Sequence, residues 1–365
     1  MPHYNPKNER IKKEYFRYQK EAGRKADGTI DAIRKATSRY EIYTSYKDFA
    51  TFNKEQAIGF KKQLAKTRGA RTGEPMAKST LAATTSALKD FFRWLSWQPG
   101  YKARLRATDI EYLNLSENET RAAKEPAFKT FPTMEQIRAV IRIMPAESEI
   151  ERRDRALITI AILTGARDSA LATLRLKHFD LERKLVMQDP REVRTKRSKR
   201  IDTFLFPLGE DLEAIALDWL RYLREGKLFG NDAPLFPRTR VQPDEDGSFI
   251  VVGLEPVFWE NTQPIRRIFR EAFTAAGLPY FRPHSFRDTL AQYGERHAPS
   301  IEHYKAWSQN LGHEHVSTTL TSYGNIGPYR QGELVRSMSV TDGKGDGDER
   351  TRDLFDQFMR MVRQR

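Results

Sequence analysis

The chain has no cysteine among its 365 residues. That excludes disulfides, thiolate zinc sites and cysteine nucleophiles, and it fits a reducing compartment. Nor is there an apolar run near the ~20 residues needed to span a bilayer. The N-terminus is polar and charged, without the apolar core of a signal peptide. A cytoplasmic protein with no membrane partner is expected, associated with the nucleoid if it binds DNA. Negative charge is in short supply: 63 Lys and Arg face 49 Asp and Glu, a net charge of +14 at pH 7. Such an excess suits a polyanion, and nucleic acid comes first because Lys and Arg displace its condensed counterions. Plain solubility is the other reading. His313 and His315 have no carboxylate or cysteine companions at ligand spacing, so no metal is expected.

What is present suggests a mainly α protein of two domains. Residues 1–27 are basic (Lys7, Arg10, Lys12, Lys13, Arg17, Lys20, Arg24 and Lys25) with a weak apolar face, which predicts an arm that orders on contact, or else a solvated tail. Residues 28–116 read as a helical bundle. Ile33, Ala36, Tyr40 and Tyr43 recur at helical spacing, Asn53 can cap a helix bearing Ala57, Phe60 and Leu64, and Leu81, Leu88, Phe91, Phe92 and Leu95 form a stripe. Lys61, Lys62, Lys66, Arg68 and Arg71 make a basic rim suited to DNA, whereas Trp94 and Trp97 read as packing residues. A linker is expected at 117–132. A second, mainly helical domain with a small antiparallel sheet follows over 133–340. It opens on a Thr133/Gln136 capping box and holds a buried helix across Ala156–Leu163. Short strands are expected near 184–187, 192–195 and 201–205, and 228–262 as loop with one strand near 249–252. Helices are expected at 209–224, 265–276, 285–296, 301–309, 316–322 and 329–338. Residues 341–365 read as a Gly/Asp-rich linker and a short apolar helix (Leu354, Phe355, Phe358, Met359) that needs its own chain or a neighbouring protomer to dock on.

The chemistry-bearing residues lie in this second domain. Arg167, in Thr164-Gly165-Ala166-Arg167, ends the buried helix, where a guanidinium can be held rigidly against an anion. His284 and Arg287 lie three apart, so one helix turn can present a proton acceptor and a charge clamp to one phosphate. Lys196 sits between two expected strands among Arg194, Arg197, Lys199 and Arg200; its ammonium can protonate a leaving oxygen while its neighbours hold DNA phosphates. His313 follows Gly312 in a turn. Tyr323 is the candidate nucleophile. A phenol of pKa near 10 is ~0.1% ionised at pH 7, and nearby cations with a histidine base can offset that cost. A phosphotyrosine ester keeps the energy of the broken bond, so rejoining needs no nucleotide cofactor. Each residue also has an ordinary alternative: a helix-end arginine, a phosphate-binding turn, a capping or core histidine, a packed tyrosine.

In this order, Leu163-Thr164-Gly165-Ala166-Arg167, Lys196, His284-Ser285-Phe286-Arg287, Leu311-Gly312-His313 and Ser317-Thr318-Thr319 with Tyr323 resemble the tyrosine recombinases of the lambda-integrase type, across most of residues 28–340. The resemblance implies a site-specific recombinase that cleaves and rejoins DNA without metal or ATP. Arg167 and Arg287 would clamp the scissile phosphate, Lys196 act as general acid, His284 as general base, His313 as a phosphate hydrogen-bond donor, and Tyr323 form a 3′-phosphotyrosyl link. It further implies double-stranded DNA with a specific recombination site, a C-shaped clamp, a homo-tetramer on DNA formed from monomers, a Holliday junction, and DNA-bending accessory proteins. An integrase of a phage or other mobile element is expected. A type IB topoisomerase, or a DNA-binding protein that kept the clamp and lost turnover, are the alternatives. Three departures stand out. Ala170 replaces the usual Glu, with Asp168 expected to take part of its role; Asp288 stands where many members carry a second histidine; and the His313–Tyr323 gap is one residue longer than the commonest spacing. Tyr329 is the fallback nucleophile.

Overall fold

In the computed structural model, residues 4–69, 73–124 and 130–313 are described, and the chain divides into one compact unit within residues 1–127 and another within 128–365. Among the described residues the fold is mainly α, as the periodicity predicts, with two small antiparallel sheets.

The first unit is built on α1 (Pro6–Glu21), α2 (Asp27–Tyr43), α3 (Lys54–Lys66), α4 (Lys78–Leu95), α5 (Ala107–Glu111) and α6 (Glu117–Lys124). Its core is a cluster of rings. Tyr40 meets Phe60 and Phe92 edge-on, and Phe52 stacks on Phe92 with centroids 3.9 Å apart. Asn53 caps α3 by accepting from Gln56 N at 3.0 Å, as expected.

The segment read as a basic arm is instead α1, part of the bundle. Its apolar face is narrow, but Ile11 and Tyr15 are buried in the ring cluster. Polar side chains extend that face. Asn8 donates to Lys47 O and accepts from Phe49 N, and Lys12 pairs with the buried Glu41 at 2.5 Å. The expected linker is helical over its first half. Ser116 and Glu119 form reciprocal bonds that start α6, with Ser116 N and Oγ both donating to Glu119 Oε2. Trp94 packs against the core, whereas Trp97 is 76% exposed rather than packed.

The second unit begins with α7 (Met134–Ile143), started by the expected Thr133/Gln136 capping box. Then comes α8 (Glu149–Thr164), buried without a break from Ala156 to Thr164 and started by a second capping box, Ser148 with Glu151. The short α9 (Asp168–Leu171) follows. Strands β1 (Phe179–Asp180), β2 (Leu185–Gln188) and β3 (Ile201–Phe204) form a sheet in that order, with Val186 opposite both Phe179 and Thr203. The strand expected at 192–195 is a turn, because Glu192 N and Val193 N both donate to Asp189 O. Next are α10 (Glu210–Arg221), a hairpin of β4 (Arg238–Pro243) and β5 (Phe249–Glu255), α11 (Gln263–Ala275), α12 (Ser285–His297) and α13 (Ile301–Asn310). Only one strand of that hairpin was expected. Its base is tied to α8: Arg153 donates to Pro237 O and Thr239 Oγ1, and Glu149 accepts from Leu254 N. The expected helices at 316–322 and 329–338, and the C-terminal helix, lie outside the described residues.

Candidate active site

The site forms where α8 ends. Thr164 turns its hydroxyl back to Ile160 O and accepts from Ala166 N. Gly165 then adopts a left-handed conformation, φ +58°. A Cβ there would come within 2.8 Å of Leu311 and 3.0 Å of Leu290, so the turn requires glycine both for its dihedral and for its space. Ala166 is buried, and Arg167 emerges as the residue leading into α9.

Arg287, in the first turn of α12, comes to the same place. It is 3% exposed. Its guanidinium donates to Gly165 O at 2.7 Å, to Leu311 O at 2.6 Å and to His313 Nε2 at 2.8 Å. One planar group thus ties together the end of α8, the start of α12 and the turn after α13. Because His313 Nε2 accepts from a cation, its ring is neutral with the proton on Nδ1. Burial, then the charges of Arg287, Arg167, His284 and Lys199, lower the His313 pKa from its ordinary 6.5 to about 3. Arg167, His284 and Lys199 thus lie close enough for their charges to act on that ring. His284 stands exposed at the N-terminal end of α12, after the buried Pro283.

The basic loop between β2 and β3 is fastened along its first half. Arg194 N donates to Thr173 Oγ1, and Arg194 O accepts from Ser169 Oγ, which fastens the loop beside α9. Glu192 bonds Lys177 at 2.8 Å and His178 at 2.7 Å, and these contacts hold its carboxyl down at about 2. Between these anchors and β3, Lys196 opens a single 3-10 turn (Lys196–Ser198) and is exposed. Arg200 is exposed and lies 3.2 Å from Asp202. Lys199 is half-buried. The side chain of Arg197 is not among those described.

Arg287 and His313 therefore touch, with Arg167 two residues beyond Gly165, which Arg287 also bonds, and His284 three residues before Arg287 at the same helix end. Tyr323 and Tyr329 lie outside the described residues. Asp168, expected to support Arg167 in place of the missing Glu, accepts a two-pronged bond from Arg266 of α11 at 2.8 and 3.2 Å. In the bundle, Lys62, Lys66 and Arg68 are exposed, with Arg68 donating to Gly73 O. Lys61 departs from the expected DNA-facing set: it is partly buried and donates to Asn114 O at 2.6 Å. Arg71 lies outside the described residues. Sequence reading missed Asn310, which brackets β3 by donating to Phe204 O and accepting from Phe204 N. An Asn at a helix end gave no signal that its partner was a distant strand.

Residues 131–327 match the model of the phage integrase family. The chain belongs to the phage integrase family. Among curated proteins it is 24% identical over 250 residues to tyrosine recombinase XerC of Lactobacillus leichmannii, covering 68% of this chain and 72% of the relative. It is 26% identical over 259 residues to tyrosine recombinase XerD of Xanthomonas axonopodis pv. citri, covering 66% and 77%. Among solved structures, a lambda integrase dimer bound to a COC′ core site aligns with TM-score 0.57 at 15% identity, covering 93% of this chain and 99% of that one. The integrase of transposon Tn1549, in complex with transposon right end DNA, aligns with TM-score 0.53 at 13% identity, covering 90% and 99%. At these identities the structures speak for the fold. Among the described residues, no group of histidines and carboxylates is arranged to hold a metal ion, and no helix is long and apolar enough to cross a membrane.

Proposed function

We propose that this family member, a tyrosine site-specific recombinase, breaks and rejoins double-stranded DNA at the pocket where α8, α12 and the turn after α13 meet. The observation that carries the reading is the buried Arg287 guanidinium, which joins His313 to the Gly165 turn that leads into Arg167, with His284 at the start of the same helix as Arg287. A phosphodiester placed there meets two guanidinium groups that offset the second charge developing as a nucleophile adds. The neutral ring of His313 donates Nδ1–H to a phosphate oxygen. His284, exposed at the helix end, takes the phenolic proton of Tyr323. Lys196, on the exposed turn, gives a proton to the leaving 5′-oxygen. The product is a 3′-phosphotyrosine, reversed by attack of a 5′-hydroxyl.

The exposed cations of α3, of the stretch just after it and of the β2–β3 loop hold flanking phosphates: Lys62, Lys66, Arg68, Arg194 and Arg200, together with Arg71 and Arg197. Four protomers act on paired sites through a Holliday junction, with DNA-bending proteins where the site requires them. An integrase of a mobile element fits best, since integrases of a phage and of a transposon share the fold. Both alternatives, a topoisomerase-like enzyme and a DNA-binding protein without turnover, lack support among the named relatives, which are recombinases.

The test is covalent trapping. Incubated with a nicked duplex that cannot religate, the wild-type chain forms an adduct that survives denaturing electrophoresis, and Tyr323→Phe forms none. An adduct of undiminished yield in that variant moves the nucleophile elsewhere, with Tyr329 next to be changed.

A further inference from the structure

The loop between β2 and β3 carries two lysines, and the fold treats them differently. Lys199 has extended backbone, φ −90° and ψ 135°, and leads directly into β3. Side chains alternate along such a stretch, so Lys199, Ile201 and Thr203 share one side, and Arg200, Asp202 and Phe204 the other. Burial follows the alternation: Ile201 and Thr203 are buried, whereas Arg200, Asp202 and Phe204 are exposed. The buried side faces the site. Ile201 packs on Gly312, where a Cβ would lie 3.0 Å from its Cδ1, and Thr203 donates to Asn310 O at 3.1 Å. Lys199 therefore continues a row that is fastened to the turn bearing His313. Its charge is among those acting on that histidine. Lys196, by contrast, opens an exposed turn one step removed from the strand.

We infer that Lys199 is a further catalytic residue: a cation fixed by β3 in the wall of the anion pocket, which binds a non-bridging oxygen of the scissile phosphate and takes no part in proton transfer. This rests on the recombinase reading above. In the cleavage step the Tyr323 oxygen bonds to phosphorus, the P–O5′ bond breaks, His284 receives the phenolic proton and Lys196 supplies the proton to O5′. Lys199 remains an ammonium throughout. Its contribution is to the charge that builds on the phosphoryl oxygens, so it should be worth what one electrostatic donor is worth in such a site, about 100-fold in rate.

Three versions of one duplex separate this role from the others. The sequence is recovered by covalent capture of the wild-type chain on a randomised nicked library. One version has a normal scissile phosphate, one a methylphosphonate that removes the negative charge, and one a 5′-bridging sulfur whose thiolate leaves without an acid. Lys199→Ala should cleave the normal duplex about 100-fold more slowly than wild type. Its deficit should shrink below about tenfold on the methylphosphonate and stay undiminished on the sulfur-bridged duplex. Lys199→Arg, which keeps the charge, should recover most of the rate. A deficit erased by sulfur makes Lys199 the proton donor and overturns the inference. So does a deficit that methylphosphonate leaves intact, or a rate like wild type. If capture by the wild-type chain yields no adduct at all, the recombinase reading itself fails, a result distinct from each of these.

Discussion

The bundle and the catalytic unit are held together by different means. In the bundle, rings such as Tyr40, Phe52, Phe60 and Phe92, packed edge-on and face to face, fill one cluster, and its buried ion pair, Lys12 with Glu41, joins α1 to α2. In the catalytic unit the helix α8, largely aliphatic from Ala156 onward, runs through the core, and polar contacts gather at its two ends. Glu149 and Arg153 fasten the β4–β5 hairpin near its start, and Arg287 clasps the turn at its finish. Rings give a shape that presents exposed lysines. A buried helix with pinned ends gives fixed positions for charges, which catalysis by electrostatic preorganisation requires.

Substitutions should separate the two regions. The largest effect is expected from Arg287→Ala, which removes the phosphate clamp proposed above and leaves Gly165 O and Leu311 O without that donor. Adduct formation should fall by about a thousandfold or more, and the catalytic unit should lose on the order of 3 kcal/mol in urea unfolding. Stability equal to wild type would show that the pin is not structural. Phe92→Ala should do the reverse, costing the bundle about 3–5 kcal/mol. DNA affinity should drop, while single-turnover cleavage at saturating DNA stays near wild type. A large loss there would mean that the bundle shapes the pocket.

Acid should divide the regions by a smaller margin. His313 has its pKa near 3 in the fold and an ordinary 6.5 when unfolded, so between those values the unfolded chain binds more protons. Stability of the catalytic unit should therefore fall as pH drops from about 6.5 towards 3. The bundle's perturbed carboxylates, Glu111 and Glu119, have lowered values and matter only below about 4.5. Melting followed between pH 7 and 5 should show the slope in the catalytic unit alone, and His313→Gln should flatten it. The smallest effects belong to the rim. Lys62→Ala and Lys66→Ala should each reduce the slope of log affinity against log salt by about 1, from a wild-type value near −7 if ~8 phosphates are contacted. The cleavage rate at saturation should not change.

Much of this was legible in the sequence because it is written in short-range signals. The capping box at Thr133, the cap at Asn53, the apolar run of α8 and the Gly165 turn each lie within a few residues of what they determine. The same was true of Ser116 with Glu119, masked by the break in apolar periodicity over 117–132 that reads as a linker. Long-range placement was harder. The apolar face of α1 is completed by Asn8 and Lys12, whose partners lie about thirty to forty residues away. Residues 192–195 look like a strand by composition, yet Asp189 gathers their amides into a turn. For the site, the ordered boxes grouped Arg167, His284, Arg287 and His313, and the structure joins the Gly165 turn, Arg287 and His313 directly. They did not distinguish Lys196 from Lys199, since that depends on which face of β3 packs on Gly312. Counting back by twos from Ile201 and Thr203 would have drawn the distinction.

The most direct test is a crystal structure of the Tyr323→Phe chain on a nicked duplex captured as described above. The account requires one phosphorus whose non-bridging oxygens lie within hydrogen-bond reach of Arg167, Arg287 and His313 together, with Lys199 beside them. A scissile phosphate touching one arginine while the other faces elsewhere would contradict it.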